Sequence, residues 1–165
     1  MVLRGQKLYR HQLELSNRQM MFNSLTSLHH DLIAPGMQQA IRIVLSRSAD
    51  DIKDPKTAED LEYIELILRT FDLLGHRLQC GVLPTEETLQ TEWITILTIW
   101  PHLQPFMKQV ESRRKVPYKS YFKWLHQQAE AYKKIHHPNV EIQVATWAFD
   151  LKSNADTEQQ ADRAG

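Results

Sequence analysis

The chain has 165 residues, which is enough for one domain with one hydrophobic core and too few for two ordinary domains. Hydrophobic residues make up 42% of it, which excludes compositional disorder, and 20 basic residues balance 20 acidic ones, which argues against a protein whose main task is to coat nucleic acid. A single cysteine, Cys80, excludes an intramolecular disulfide, and no apolar run of about 18 residues predicts a transmembrane helix.

Residues 8–32 are predicted to form one long helix, because apolar residues recur there at helical spacings. Its buried stripe should consist of Leu15, Met21, Phe22, Leu25, Leu28 and Leu32. Pro35 and Gly36 then stop this helix. A shorter amphipathic helix is predicted over residues 37–47, and the polar residues 48–54 are predicted to be a loop.

Asp54 and Pro55 are expected to begin a third helix, over residues 56–80, as its N-cap and its first helical residue. This helix has the clearest periodicity in the chain. Its buried face should contain Leu61, Ile64, Ile67, Leu68, Phe71, Leu74, Gly75 and Leu78. Gly81 is a natural C-terminal cap, and a fourth helix is predicted over residues 84–100.

Pro101 must kink the fourth helix or divide it in two, because its amide cannot bond back and its ring crowds the preceding turn. Apolar residues resume around Pro105, and a last helix is predicted over residues 117–135. Its buried side chains should be Tyr121, Trp124, Leu125 and Tyr132. Residues 140–149 fit a short strand as well as a helical turn.

These patterns predict an all-α, single-domain bundle of about five or six helices over residues 1–149, kinked or broken at Pro101 and Pro105. Residues 150–165 are polar and are predicted to be a disordered tail. The first residues lack the apolar core of a secretory signal, so we expect a cytoplasmic protein, with the cytoplasmic face of the membrane as an alternative location.

Arg69 and His76 form the one pattern with catalytic chemistry. Their separation by six residues is similar to the arginine–histidine motif of HEPN ribonucleases, helical proteins that cut RNA without a metal at a dimer interface. The resemblance implies that the arginine holds the scissile phosphate and the histidine transfers protons. The competing interpretation is a salt-bridged helix face, with Asp60, Glu62 or Glu65 as partners of the arginine.

Charge is segregated along the chain. Residues 48–72 carry eight acidic side chains against three basic ones, and residues 101–140 carry eight basic against two acidic. The candidate surface for an anion or a partner is therefore Lys108, Arg113, Arg114, Lys115, Lys119 and Lys123. Tyr118, Tyr121 and Trp124 interleave with these cations, as in nucleic-acid binding, but their helical spacing favours a place in the core. The basic run either complements the acidic region or binds RNA or anionic lipid.

The eight histidines include one pair with metal-ligand geometry, since His126 and Glu130 are four residues apart on one helix face. The adjacent pairs His29–His30 and His136–His137 point about 100° apart and cannot easily share a metal. No H-E-x-x-H or C-x-x-C spacing occurs. We therefore expect neither a metal site nor a cofactor.

A longer pattern runs from Phe71 to Arg114: an apolar helix ending in glycine, a Leu-Pro start, an acidic-aromatic helix, a tryptophan before a proline-containing segment, and paired arginines. Its residues are Gly81, Leu83, Trp100, Leu103, Pro105, Phe106, Arg113 and Arg114. With the opening helices over residues 18–45, it resembles a bacterial family of unknown function that has an all-helical soluble domain, often tethered to the membrane. The resemblance implies helices and supplies no reaction.

The favoured prediction of function is a noncatalytic protein-interaction or regulatory module, with another protein or a second copy of the chain as its partner. The first alternative is a HEPN-like ribonuclease, a toxin or defence effector that uses Arg69 and His76. The second is a peripheral signalling protein at the membrane surface, for which Arg4, Lys7 and Arg10 would suit the start of the chain.

Overall fold

The structure is a computed structural model that describes the backbone of residues 2–142 and the side chains of residues 9–142. Within this part the chain forms six helices and no strand, which confirms the predicted all-α class. The helices are α1 (Val2–Ile33), α2 (Pro35–Ser46), α3 (Ala49–Lys53), α4 (Ala58–Gln79), α5 (Thr85–Arg114) and α6 (Ser120–His136). No helix among them combines the length and the apolar character that crossing a bilayer requires.

The ambiguous end of the predicted domain is only partly described. Residues 140–142 are neither helix nor strand. Residues 143–149, and the predicted tail over residues 150–165, lie outside the described residues.

Helix α4 is the centre of the bundle and packs mainly against α6 and α2, while α5 packs against α6 and α3. Its buried residues are Ile64, Ile67, Leu68, Phe71, Leu74, Gly75 and Leu78. This confirms the predicted face except at Leu61, which is 41% exposed. Gly81, after the end of α4, has a φ of +70°, the left-handed conformation expected of a glycine in this position.

Helices α4 and α6 approach each other most closely at Gly75. A Cβ atom placed there would overlap the carbonyl oxygen and the carbonyl carbon of Tyr121. Next to this contact in the sequence, the buried ring of Phe122 stacks on that of Phe71, with 5.5 Å between the ring centroids. The absence of a side chain at Gly75 therefore lets the start of α6 lie directly on α4.

The carboxylate of Asp72 caps α6 from the neighbouring helix. Its Oδ1 accepts hydrogen bonds from the backbone amides of Tyr121 and Phe122, both at 3.1 Å. Such amides in a first helical turn have no partner within their own helix, and a carboxylate there also opposes the positive end of the helix dipole. This external cap places the start of α6 at Ser120, so the predicted start at residue 117 is wrong.

The long first helix is confirmed, but its predicted stripe is confirmed only toward its C-terminal end, at Leu25, Leu28 and Leu32. Leu28 and Leu32 are buried, whereas Leu15 and Phe22 are 51% and 68% exposed. Only the C-terminal turns of α1 reach the core, and residues 9–20 are exposed. The helix ends at the predicted place, where Pro35 becomes the first residue of α2.

The predicted loop over residues 48–54 is wrong, because it contains the short helix α3. The side chain of Ser48 caps it by accepting a hydrogen bond from the amide of Asp51, and Ile52 is buried in the core. The next N-cap is Thr57, whose hydroxyl accepts from the amide of Asp60. The predicted cap at Asp54 is therefore also wrong.

Helix α5 runs for 30 residues and contains both Pro101 and Pro105, so neither proline divides the helix in two. Each proline removes one hydrogen bond from the helix. Buried side chains on both sides of the prolines keep the helix in place against the core; these are Trp93, Ile96, Ile99, Leu103, Phe106 and Met107.

We expect Gly75→Ala to lower the free energy of unfolding by about 1–3 kcal/mol, because the new methyl group overlaps backbone atoms of α6 that cannot turn away. Urea unfolding followed by circular dichroism measures the change. Gly36→Ala is the matched control, since a methyl group added there would meet no heavy atom within 4 Å. In the control we expect no loss of stability, because alanine favours a helix; equal losses in both variants would contradict the close approach of α4 and α6.

Candidate functional site

The turn that connects α5 to α6, residues 115–119, is held by Glu111. One oxygen of this carboxylate accepts hydrogen bonds from the amide of Tyr118, at 2.8 Å, and from the ammonium group of Lys123. These two contacts, with that of Lys123 first, lower the pKa of Glu111. Both ends of the turn have positive φ, +54° at Lys115 and +55° at Lys119. This conformation is uncommon for residues other than glycine, so the surrounding contacts must hold it.

Tyr118 joins the basic turn to the acidic helix α4. Its hydroxyl donates a hydrogen bond of 2.7 Å to Glu65. Burial and this carboxylate raise the pKa of Tyr118, so the phenol stays protonated. The cationic groups of Arg114 and Lys119 each lie 5.4 Å from the centre of its ring. Tyr118 is thus fixed at both ends.

The candidate cations differ in how they are neutralised. Lys123 forms an ion pair with Glu111. Among the described side chains, the other five have no carboxylate oxygen within 4.0 Å; they are Lys108, Arg113, Arg114, Lys115 and Lys119. Four of these five are exposed, and Lys119 is half-buried. We call these five residues the basic surface.

The acidic region neutralises little of this surface. Two of its carboxylates, Asp60 and Asp51, pair with Arg47 and Lys56, at 2.8 and 3.3 Å. Two further carboxylates of the region contact the second half of the chain: Glu65 accepts a hydrogen bond from Tyr118, and Asp72 caps α6. The two regions therefore touch through neutral donors rather than through matched charges.

Part of the basic surface lines a groove of about 590 Å³ between α3 and α5. Lys53, Lys108 and Arg113 lie along it, together with Gln104, Pro105, Gln109 and Ser112. None of these lining residues carries a carboxylate. We call this the basic groove. Lys53 could not be assigned to this groove from the sequence, because the groove brings together residues of two helices that are far apart in the chain.

A second groove, of about 670 Å³, lies between α5 and the C-terminal half of α6. Its apolar side includes Leu97, Pro101 and Trp100, and the ring of Trp100 stacks on His126 at 4.3 Å between centroids. Burial lowers the pKa of His126, and the nearby Glu130 opposes this effect without reversing it. We call this the aromatic groove; Lys133, Lys134 and Gln104 also line it.

Arg69 and His76 are both exposed on α4 but have different neighbours. Arg69 lines a groove with Asp31 of α1 and Arg77. The ring of His76 meets the ring of Tyr121 at 4.7 Å between centroids, on the side of α6, and His76 does not line the groove of Arg69. In the described part of the chain, the groove that Arg69 lines therefore does not bring the two side chains together.

The pairing expected for Arg69 on its own helix is not found among the described side chains. Asp60 and Glu65, two of its three expected partners, bind Arg47 and Tyr118 instead. The hypothesis of a nuclease pair, which requires a dimer interface, stays a prediction.

Four of the eight histidines, His76, His126, His136 and His137, make aromatic contacts in the described part of the chain. His136 stacks on Tyr132 and His137 on Trp93, with centroid distances of 4.3 and 4.8 Å. His126 and Glu130 approach to 3.8 Å, but no third metal-binding side chain joins them or any other such pair in the described residues.

We expect Glu111→Gln to destabilise the protein at neutral pH by about 1 kcal/mol or less, since the variant keeps an acceptor for the amide of Tyr118 but loses the charge facing Lys123. The folded-state pKa of Glu111 is lowered, so its contribution is present above the unfolded-state pKa and disappears as the pH falls through the folded-state value.

The measurement is urea unfolding of both proteins at pH 7 and pH 3, with Glu62→Gln as an exposed control. The difference between wild type and Glu111→Gln should shrink at pH 3. A difference that is unchanged by pH would show that Glu111 does not hold the turn through its charge.

No protein-family model matches the chain, and no curated protein and no solved structure matches it either.

Proposed function

We propose that this protein is a noncatalytic interaction module whose basic surface binds an acidic partner protein. The observation that carries the proposal is that Lys108, Arg113, Arg114, Lys115 and Lys119 have no carboxylate partner among the described side chains, although the whole chain has no net charge. Cations gathered on one surface favour encounter with a partner of opposite charge and oppose encounter with one of like charge.

The rigidity of the surface supports the same function. Glu111 fixes the turn between α5 and α6, and Tyr118 fixes it to α4. Side chains that start from a fixed backbone lose less freedom when a partner binds. The proposal also assigns the protein to the cytoplasm of a bacterium, on the basis of the resemblance to a bacterial helical family and the single cysteine.

The aromatic residues favour a protein partner over RNA. A nucleic-acid surface of this type stacks bases on free aromatic faces. Here the ring of Tyr118 faces two cations of its own chain, and the ring of Tyr121 contacts His76. Both rings are engaged in contacts within the chain.

Affinity capture with the full chain as bait tests the proposal in cells of the source organism. The test variant carries Arg113→Glu and Arg114→Glu; the control carries Arg10→Glu and Arg42→Glu, which make the same charge change at exposed positions of α1 and α2. We expect acidic proteins bound to wild type and control to be reduced at least about tenfold with the test variant, since each reversal turns attraction into repulsion. Equal recovery with all three baits would sink the proposal.

The second candidate function is a metal-independent ribonuclease, which is favoured only by the exposure of Arg69 and His76 on the same helix. Incubation of labelled RNA with wild type and with His76→Ala, at measured oligomeric state, separates the two functions. The proposal predicts the same absence of cleavage for both proteins. Cleavage by the wild type that His76→Ala abolishes would replace the interaction module with the nuclease.

A further inference from the structure

The basic groove and the aromatic groove meet at Gln104, which lines both. Five of the α5 residues that line them follow one another at spacings of three and four, so they lie on one face of the helix; they are Leu97, Pro101, Gln104, Lys108 and Ser112. Fifteen steps along a helix correspond to about 22 Å. The two grooves are therefore one continuous track on the surface of α5.

The track has a charged end and an apolar end. At the charged end, Lys53, Lys108 and Arg113 are not opposed by any carboxylate in the lining. At the apolar end, the stacked rings of Trp100 and His126 form a wall. Lysines border this end as well, so cations outnumber carboxylates along the whole length.

Gln109 holds the charged end together. With its amide nitrogen facing α3, it donates a hydrogen bond to the carbonyl of Lys53, and its oxygen accepts one from the guanidinium of Arg113. Buried Ile52 anchors α3 at the same place. Gln109 thus links the backbone of α3 at Lys53 to the guanidinium of Arg113 before any ligand arrives.

The prolines of α5 supply backbone acceptors at the apolar end. A proline at position i leaves the carbonyl at i−4 without its helical donor. Pro101 and Pro105 therefore cannot donate to the carbonyls of Leu97 and Pro101, and both of these residues line the aromatic groove. A polypeptide carries amide donors that match such acceptors.

We propose that this track binds an extended acidic segment of the partner protein. An apolar side chain of the segment occupies the aromatic groove, and its carboxylates bind Lys53, Lys108 and Arg113 in the basic groove. At about 3.3 Å per residue, a strand-like segment of roughly seven residues spans the track. The inference rests on the proposed function and names the partner's recognition element.

Single-stranded nucleic acid fits the same track less well. One face of Trp100 stacks on His126, and its ring meets Phe122 edge to face at 5.0 Å, so a base would have to compete with contacts inside the core. Glu130 at the apolar end would also repel a phosphate. A peptide avoids both conflicts, because it can place a carboxylate at one end and an apolar side chain at the other.

Fluorescence anisotropy with the full chain tests this inference at physiological salt. The probe is a fluorescein-labelled peptide with one phenylalanine followed by a run of glutamates. Its controls are the same peptide with glutamines in place of the glutamates, the same peptide with alanine in place of the phenylalanine, and labelled oligodeoxythymidylate. We expect each control ligand to bind at least about tenfold more weakly than the probe, because each control peptide lacks one half of the match and the oligonucleotide places phosphates near Glu130.

Gln104 gives the sharpest variants, because one position changes the charge at the junction in both directions. Gln104→Glu should weaken binding of the acidic peptide about fivefold or more, and Gln104→Lys should tighten it. Arg113→Gln should weaken binding, whereas Arg42→Gln, the same charge change at an exposed position of α2, should leave it unchanged. Thermal unfolding of each variant confirms that it is folded.

Three results would overturn the inference. They are tighter binding of the oligonucleotide than of the peptide, equal binding of both Gln104 variants, and equal losses in Arg113→Gln and Arg42→Gln. If one of these results is found but acidic partners are still lost with the Arg113→Glu, Arg114→Glu bait, the proposed peptide site fails and the proposed interaction module stands. If that bait also recovers its partners, both proposals fail.

Discussion

The contact between α4 and α6 at Gly75 and Asp72 is the interaction on which the rest of the structure depends. At Gly75 a missing side chain lets the backbone of Tyr121 come close, and one turn earlier Asp72 accepts the first amides of α6. Steric fit and hydrogen bonding therefore specify the same docking position. Phe122 is then directed onto Phe71 in the core. Because the first turn of α6 is fixed against α4, the position of the rest of α6 is fixed as well.

The docking of α6 also determines the position of the charges. The turn before α6 must reach from the end of α5 to the cap at Asp72, and Glu111 and Glu65 hold it on the way. The carboxylates near the turn are thus used to hold backbone and phenol groups, and of the neighbouring cations only Lys123 gains one of them in the described structure. The same contacts that make the fold rigid leave the basic surface available to a partner. The contacts of Glu111 and Glu65 therefore serve both the stability of the fold and the proposed recognition of a partner.

Much of the core could be predicted from helical periodicity, because a central helix such as α4 has neighbours on the sides where its apolar residues lie. The same reasoning failed for Leu15 and Phe22 of α1, since periodicity identifies a face that can be buried but not whether another helix covers it. The helix over Ala49–Lys53 was missed because one buried residue, Ile52, and one cap decide it. The basic run was predicted by composition, whereas the grooves depend on which distant helices meet.

The exposed N-terminal half of α1 should unfold locally more readily than the rest of the protein. Residues 9–20 have no burial to hold them helical, and isolated helices of this length are marginal in water. Their amides should exchange with solvent far faster than those of α4, and a protease should cut there while the bundle stays intact. We therefore expect two units of unequal stability: a cooperative helical bundle, and an N-terminal helix that can unfold while the bundle stays folded.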